Sequence, residues 1–256
     1  MITAMVADVG VASVPTRQPL DGGFLDGAIG FHEKRAKTWS AAYRRSEHFR
    51  RRVRDWRAAM ETYVAPSMTV LDAGCGSGDL SRIAARMGAD VTGVDASPAM
   101  IAEARDSLDR FSLPARFDIA DVRDLPYDGQ SFDLVLASSV LEYVEPLDGA
   151  LIELRRVLRP DGILICSLPN TKSLYRVLEG FLVRTTGRPA YRRHVNELVY
   201  KADLEQIFAN IGFEIVERRY SGAPPRLGAG AVGDFAQRHP RLATMILYIV
   251  RRVDAA

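Results

Sequence analysis

Three glycines at alternate positions, Gly74, Gly76 and Gly78, follow Asp72 and Ala73 at the end of a short apolar run, Val70-Leu71. Glycines at this spacing permit φ > 0 and leave bare backbone for a bulky ligand to press against. A dinucleotide turn reads G-x-G-x-x-G and seats a pyrophosphate on the next helix N-terminus. Here the third glycine comes one residue early. Asp72 would also repel a pyrophosphate, and suits a cation better. A second acidic residue, Asp95, ends the next apolar run, where a carboxylate accepts hydrogen bonds from a ribose diol in nucleotide-binding folds. Its alternative role as a helix cap is already taken by Ser97. A tight turn in an α/β domain is the bland alternative for the glycines.

The elements that must carry these residues alternate. The spacing predicts strands over 70–73, 90–94, 115–119, 132–137, 163–168, 213–220 and 245–253. Helices are expected over 79–87, from Ser97 and Pro98 to about 108, over 146–158, and over 201–211 before Gly212. Pro160-Asp161-Gly162 reads as a turn. Residues 31–65 read as one or two helices with aromatic and apolar residues at three- and four-residue steps, carrying a markedly basic run. Such alternation implies an α/β fold with a parallel sheet and helices on both faces.

The pattern D-x-G-x-G-x-G resembles the first motif of class I methyltransferases, which bind S-adenosylmethionine (SAM). Phe132 to Val144 is similar to the fourth motif and its following loop, and Leu154 to Leu164 resembles the helix-turn-strand that comes next. Together the matches cover roughly residues 68–170. Ser139-Val140-Leu141-Glu142-Tyr143-Val144 is similar to the quinone-biosynthesis O-methyltransferases and their small-molecule relatives, many of which carry histidine where Tyr143 stands. The resemblance implies a Rossmann-like, doubly wound, seven-stranded sheet, mostly parallel with an antiparallel edge strand. To this it adds an N-terminal helical cap at 31–66 and a lid-like helical insertion at 170–200 within a SAM-binding domain at 67–256. Residues 1–30 read as a flexible tail.

For the cofactor, the resemblance implies contacts from Asp72, Ala73, Gly74, Gly76, Gly78, Asp95, Ala96, Met100 and Ser138. Asp121 would accept from the adenine amino group, and the Val122 amide would donate to a ring nitrogen. From the N-terminal helix, Trp39, Tyr43 and Arg50 are candidates to close over SAM and meet its carboxylate. On the acceptor side stand Glu142, Tyr143 and His194, the last as a base for a hydroxyl near neutral pH. No metal arrangement stands out.

The implied reaction is in-line displacement of a methyl from SAM, leaving S-adenosylhomocysteine, onto a small-molecule oxygen, hydroxyl or carboxyl. N- or C-methylation on the same fold, a nicotinamide-dependent oxidoreductase and a non-catalytic SAM-binding module are the alternatives. The 256 residues carry a net charge of +2, which makes no general case for nucleic acid. Cys75 and Cys166 lack metal-ligand spacing and read as reduced, space-filling residues of a cytoplasmic protein. No apolar run reaches the roughly 18 residues of a membrane span. The mixed basic and apolar insertion leaves weak membrane-surface contact open, and monomer and homodimer fit equally.

Overall fold

A computed structural model of the chain describes residue 30 and residues 47–174, 203–222 and 238–254. Residues 1–29 of the predicted tail, Trp39, Tyr43, His194 and most of the 170–200 insertion lie outside the described residues.

Seven strands form one sheet in the order β3-β2-β1-β4-β5-β7-β6. They are β1 Thr69–Ala73, β2 Asp90–Asp95, β3 Arg116–Ile119, β4 Phe132–Ser138, β5 Leu158–Pro169, β6 Phe213–Ser221 and β7 Met245–Arg252. The helices are α1 Glu47–Tyr63, α2 Asp79–Arg86, α3 Pro98–Asp109, α4 Leu147–Val157 and α5 Leu204–Ile211. β1 to β5 pair in parallel, and β7 pairs antiparallel with both β5 and β6. The antiparallel strand expected at the edge therefore lies one place in, with β6 outside it. Its sequence Ile246 to Val250 is buried throughout, as two neighbours require.

β5 also begins five residues before the position its apolar run predicts. Phe132 pairs with Leu158 but Leu134 with Ile163, so Arg159 to Gly162 bulge out of the ladder at Asp161, whose φ is 59°. The predicted turn is thus an irregularity inside a strand.

Strand side chains alternate between two faces. Val70, Leu134, Leu136 and Ile165 pack with Trp56, Met60, Leu80 and Ile83 of α1 and α2. Leu71, Val135, Leu164 and Cys166 pack on the other face with Leu151 and Leu154 of α4 and Phe208 of α5. The helix ends follow local chemistry. Ser97 caps α3 by accepting from the Met100 amide, with Pro98 at its first position, and Asp203 caps α5 in the same way, while Gly212 closes α5 at φ 85°.

Strand order reverses between β1 and β4. The helices that follow these two strands, α2 and α4, therefore pack on opposite faces of the sheet, and open α/β sheets hold their ligands at the carboxyl rim of such a reversal.

Candidate functional site

The three glycines of the loop after β1 do different work. A methyl group on Gly74 would lie 2.6 Å from the Val140 side chain, and one on Gly78 would lie 3.1 Å from Ala104 of α3. These two are small so that neighbouring elements can approach. Gly76, at φ 53°, has no atom within 4 Å of where a methyl would stand. It is the one member of the triplet whose bare backbone faces open space.

Beside it lies Asp95, partly exposed at the end of β2. Its Oδ2 accepts from the Gly76 amide at 2.9 Å and its Oδ1 from the Ser97 amide at 2.9 Å. A carboxylate offers about four lone-pair sites, so roughly two remain, enough for the two hydroxyls of a diol. Burial raises its pKa, against the pull of the two amides.

Asp72 takes a different part from the one its charge suggests. Strand alternation puts it on the face of Val70, toward α2, and it is 1% exposed. Its Oδ2 accepts from the Ser81 amide at 2.9 Å and the Ser81 hydroxyl at 2.6 Å. Desolvation raises its pKa to about 6 despite those bonds. Asp72 therefore ties the first turn of α2 to β1, and is enclosed away from any ligand lying on the glycine loop. Ala73 is buried in the opposite core.

Asp121, just past β3, is held by Arg123: Oδ1 accepts the Arg123 amide at 2.9 Å, and the guanidinium reaches both oxygens. Val122 is 5% exposed and packs in the core on the α4 side of the sheet. Met100 is buried on α3 and Ala96 is half-buried beside Asp95.

The end of β4 supplies the other side. Ser139 leaves the strand at φ 50°, its amide donating to the Ser167 hydroxyl at 2.9 Å, and Val140 then packs on Gly74. A short 3-10 turn, Leu141–Tyr143, follows; Glu142 is buried and Tyr143 half-buried. The Ser138 hydroxyl accepts from Nη2 of Arg52 at 2.6 Å.

That contact puts Arg52, an arginine other than the expected Arg50, beside Ser138. Arg50 is exposed, whereas Arg52 is half-buried on the face of α1 that also carries Trp56 and Ala59, both fully enclosed. Helical spacing from the buried Trp56 (four residues back) points to Arg52, a signal available in the sequence but hidden inside the basic run.

Residues 71–166 match the family model described as "Methyltransferase domain". Residues 71–166 carry a methyltransferase domain. The match runs from β1 to β5 and so holds the glycine loop, Asp95, Asp121 and Ser138, while Arg52 lies outside it.

A ubiquinone biosynthesis O-methyltransferase from Azorhizobium caulinodans is 33% identical over 154 residues, 59% of this chain and 60% of that protein. The chain spans about three fifths of the length of the curated relatives it first matches. Among solved structures, a SAM-dependent methyltransferase from Aquifex aeolicus superposes with a TM-score of 0.55 at 16% identity, covering 78% of this chain and 90% of that one. The [4+2]-cyclase SpnF superposes with a TM-score of 0.59 at 21% identity, covering 79% and 81%. The fold is thus shared by proteins of different described activity, and the methyltransferase domain is recognised by its sequence.

The methyltransferase family and fold imply SAM as the cofactor. The residues at the rim fit it: a glycine open to one side at Gly76, and a carboxylate at Asp95 with acceptor capacity to spare.

Proposed function

We propose that the chain binds SAM at the carboxyl rim and transfers its methyl group to an oxygen of a small-molecule acceptor. The observation carrying this reading is the junction of Gly76 and Asp95, an open left-handed glycine amide bonded to the carboxylate that ends β2. The likeness to a named O-methyltransferase supports oxygen as the acceptor atom, hydroxyl or carboxyl.

SAM, when bound, supplies an electrophilic methyl group on a sulfonium. Asp95 accepts from the ribose hydroxyls with its two spare sites, and Gly76 gives the room for close approach. Asp121 accepts from the adenine amino group while Val122 walls the ring. Arg52, at Ser138, brings a cation to the rim for the carboxylate of the methionine part. Asp72, Gly78 and Gly74 act one step back, fixing α2, α3 and the segment after β4 against the loop. Charge disperses in the transfer step, so a rim walled by apolar residues does not oppose it.

On the acceptor side, Glu142 and Tyr143 sit on the turn after β4, within the segment that closes on the glycine loop through Val140. They are the described candidates for lining the acceptor side, with His194, from the insertion, as the candidate base. We divide the chain into a tail to residue 30, a cap at 31–66 and the methyltransferase domain at 67–256 with its insertion at 170–200. A monomer or homodimer acting on a small molecule, with no nucleic-acid partner, is the assembly we favour. Among the described residues no helix is long and apolar enough to cross a membrane.

The test is calorimetric titration with SAM, followed by incubation with methyl-labelled SAM and a panel of phenols, carboxylic acids and amines. Binding with label appearing on an oxygen supports the reading. SAM binding without turnover on any acceptor favours a non-catalytic module, and binding of NADH in place of SAM favours an oxidoreductase.

A further inference from the structure

The Asp121 carboxylate is already in use. Its Oδ1 accepts from the Arg123 amide at 2.9 Å and from Nε at 3.1 Å, while Oδ2 accepts from Nη2 at 2.7 Å and from Nε at 3.0 Å. Three donors make these four contacts, the single Nε–H being split between the two oxygens, so of about four lone-pair sites the capacity of about one is left. The Asp121 side chain is 24% exposed and that of Arg123 only 8%, so the exposed part of the pair belongs to the carboxylate.

The arginine is itself anchored. Its Nη1 donates to the Glu145 carbonyl at 2.8 Å, on the segment after β4. The rest of the loop is tied down behind it. The Asp124 amide returns to the Asp121 carbonyl at 3.0 Å, and the Leu125 amide donates at 2.8 Å to the buried carboxylate of Glu153 on α4. A bidentate guanidinium fixes the plane of a carboxylate, which a lone carboxylate beside solvent does not keep.

We propose that Arg123 is a positioning residue that fixes the Asp121 carboxylate with one acceptor site presented at the rim, so that the pair selects a 6-amino purine over a 6-oxo purine. The proposal rests on the reading that Asp121 meets the adenine of SAM. A 6-amino group offers an N–H to the remaining site. A 6-oxo group brings an acceptor against an acceptor, and an Asp121 that cannot turn away rejects it. Without Arg123 the carboxylate is free to rotate and hydrate, and the contact with the amino group weakens while the rejection of the oxo group relaxes.

The experiment is calorimetric titration of the full chain with S-adenosylhomocysteine and with its 6-oxo analogue, S-inosylhomocysteine. It compares wild type, Asp121→Ala, Arg123→Met, Arg123→Lys and the Asp121→Ala/Arg123→Met double variant. Arg123→Met is expected to cut the wild-type preference for the amino ligand by about tenfold, the scale of one charge-assisted hydrogen bond. The double variant should lose no more than Asp121→Ala alone. Lysine, a charge without the fork, should give a ratio between wild type and Asp121→Ala, and it carries the test if the methionine variant lacks a cooperative thermal transition.

A wild-type ratio in both Arg123 variants, with the ratio lost in Asp121→Ala, overturns the role of Arg123 and spares that of Asp121. A wild-type ratio in Asp121→Ala overturns the adenine reading itself, and the proposal with it. Tighter binding of S-adenosylhomocysteine by Arg123→Met also overturns the proposal, since it would make the arginine a mask over Asp121. No binding of either ligand by wild type would remove the SAM reading before Arg123 is reached.

Discussion

The backbone amide of Gly76 donates to Oδ2 of Asp95 across 2.9 Å, joining the loop after β1 to the end of β2 over 19 residues of sequence. The bond sets the orientation of a carboxylate at the rim and leaves it about half of its acceptor capacity. Replacing Asp95 by alanine removes both. Asp95→Ala is expected to weaken S-adenosylhomocysteine binding by about 1 to 3 kcal/mol, the range for lost charge-assisted hydrogen bonds, as read by calorimetry. Asparagine, which keeps one acceptor oxygen, should lose less.

The glycine triplet separates packing from binding. Gly74→Ala forces a methyl against Val140 at φ 71° and should destabilise the fold by about 1 to 3 kcal/mol in denaturant titration. Gly76→Ala meets no atom and bears only the backbone penalty, about 1 to 2 kcal/mol. With Gly76→Val the added bulk fills the open side, so ligand affinity should fall far more than stability. Equal effects of alanine at the two glycines on both readouts would contradict this division.

Arg52 and Arg50 stand two residues apart on α1 but on different faces. Arg52→Met is expected to weaken S-adenosylhomocysteine binding by about tenfold, near 1.4 kcal/mol. Arg50→Met, at an exposed position, should change it by less than about twofold. The reverse order in a paired titration would return the role to Arg50.

Asp72 supplies a pH dependence of known sign. Its pKa rises from 3.8 in the unfolded chain to about 6 in the fold, chiefly through desolvation. The folded state therefore holds the proton more tightly. Its stabilising contribution is complete below about pH 4 and is lost as pH rises through 6, amounting to about 3 kcal/mol for a shift of this size. Asp72→Asn keeps an acceptor for Ser81 and has nothing to ionise. Between pH 4 and 7 the wild type should lose stability relative to this variant, and parallel curves in urea titrations across that range would contradict the assignment.

Much of this was legible in the sequence because it is local. Glycine spacing, Ser97 with Pro98, Gly212 and the apolar runs each act within a few residues, and the structure places them where the spacing does. What was not legible depends on partners far along the chain. The insertion of β7 between β5 and β6 is a choice of neighbours that period-two patterning does not encode. The early start of β5 follows from Phe132 finding Leu158. Asp72 is acidic, and its charge suggested a ligand; its face of the strand, shared with Val70, decides that it meets Ser81. Arg52 was obscured by the arginines around it. The pairing of Asp121 with Arg123 depends on a turn conformation that the two letters alone do not fix.

The central claim is that a sulfonium nucleoside lies on the bare backbone of Gly76 with its ribose on Asp95. The most direct measurement is a crystal structure of the chain grown with S-adenosylhomocysteine. The ribose hydroxyls are expected within hydrogen-bond distance of the Asp95 carboxylate, with the ligand packed against Gly76. Density for the ligand elsewhere, or a pyrophosphate of a nicotinamide dinucleotide seated on that loop in a competing soak, would contradict it.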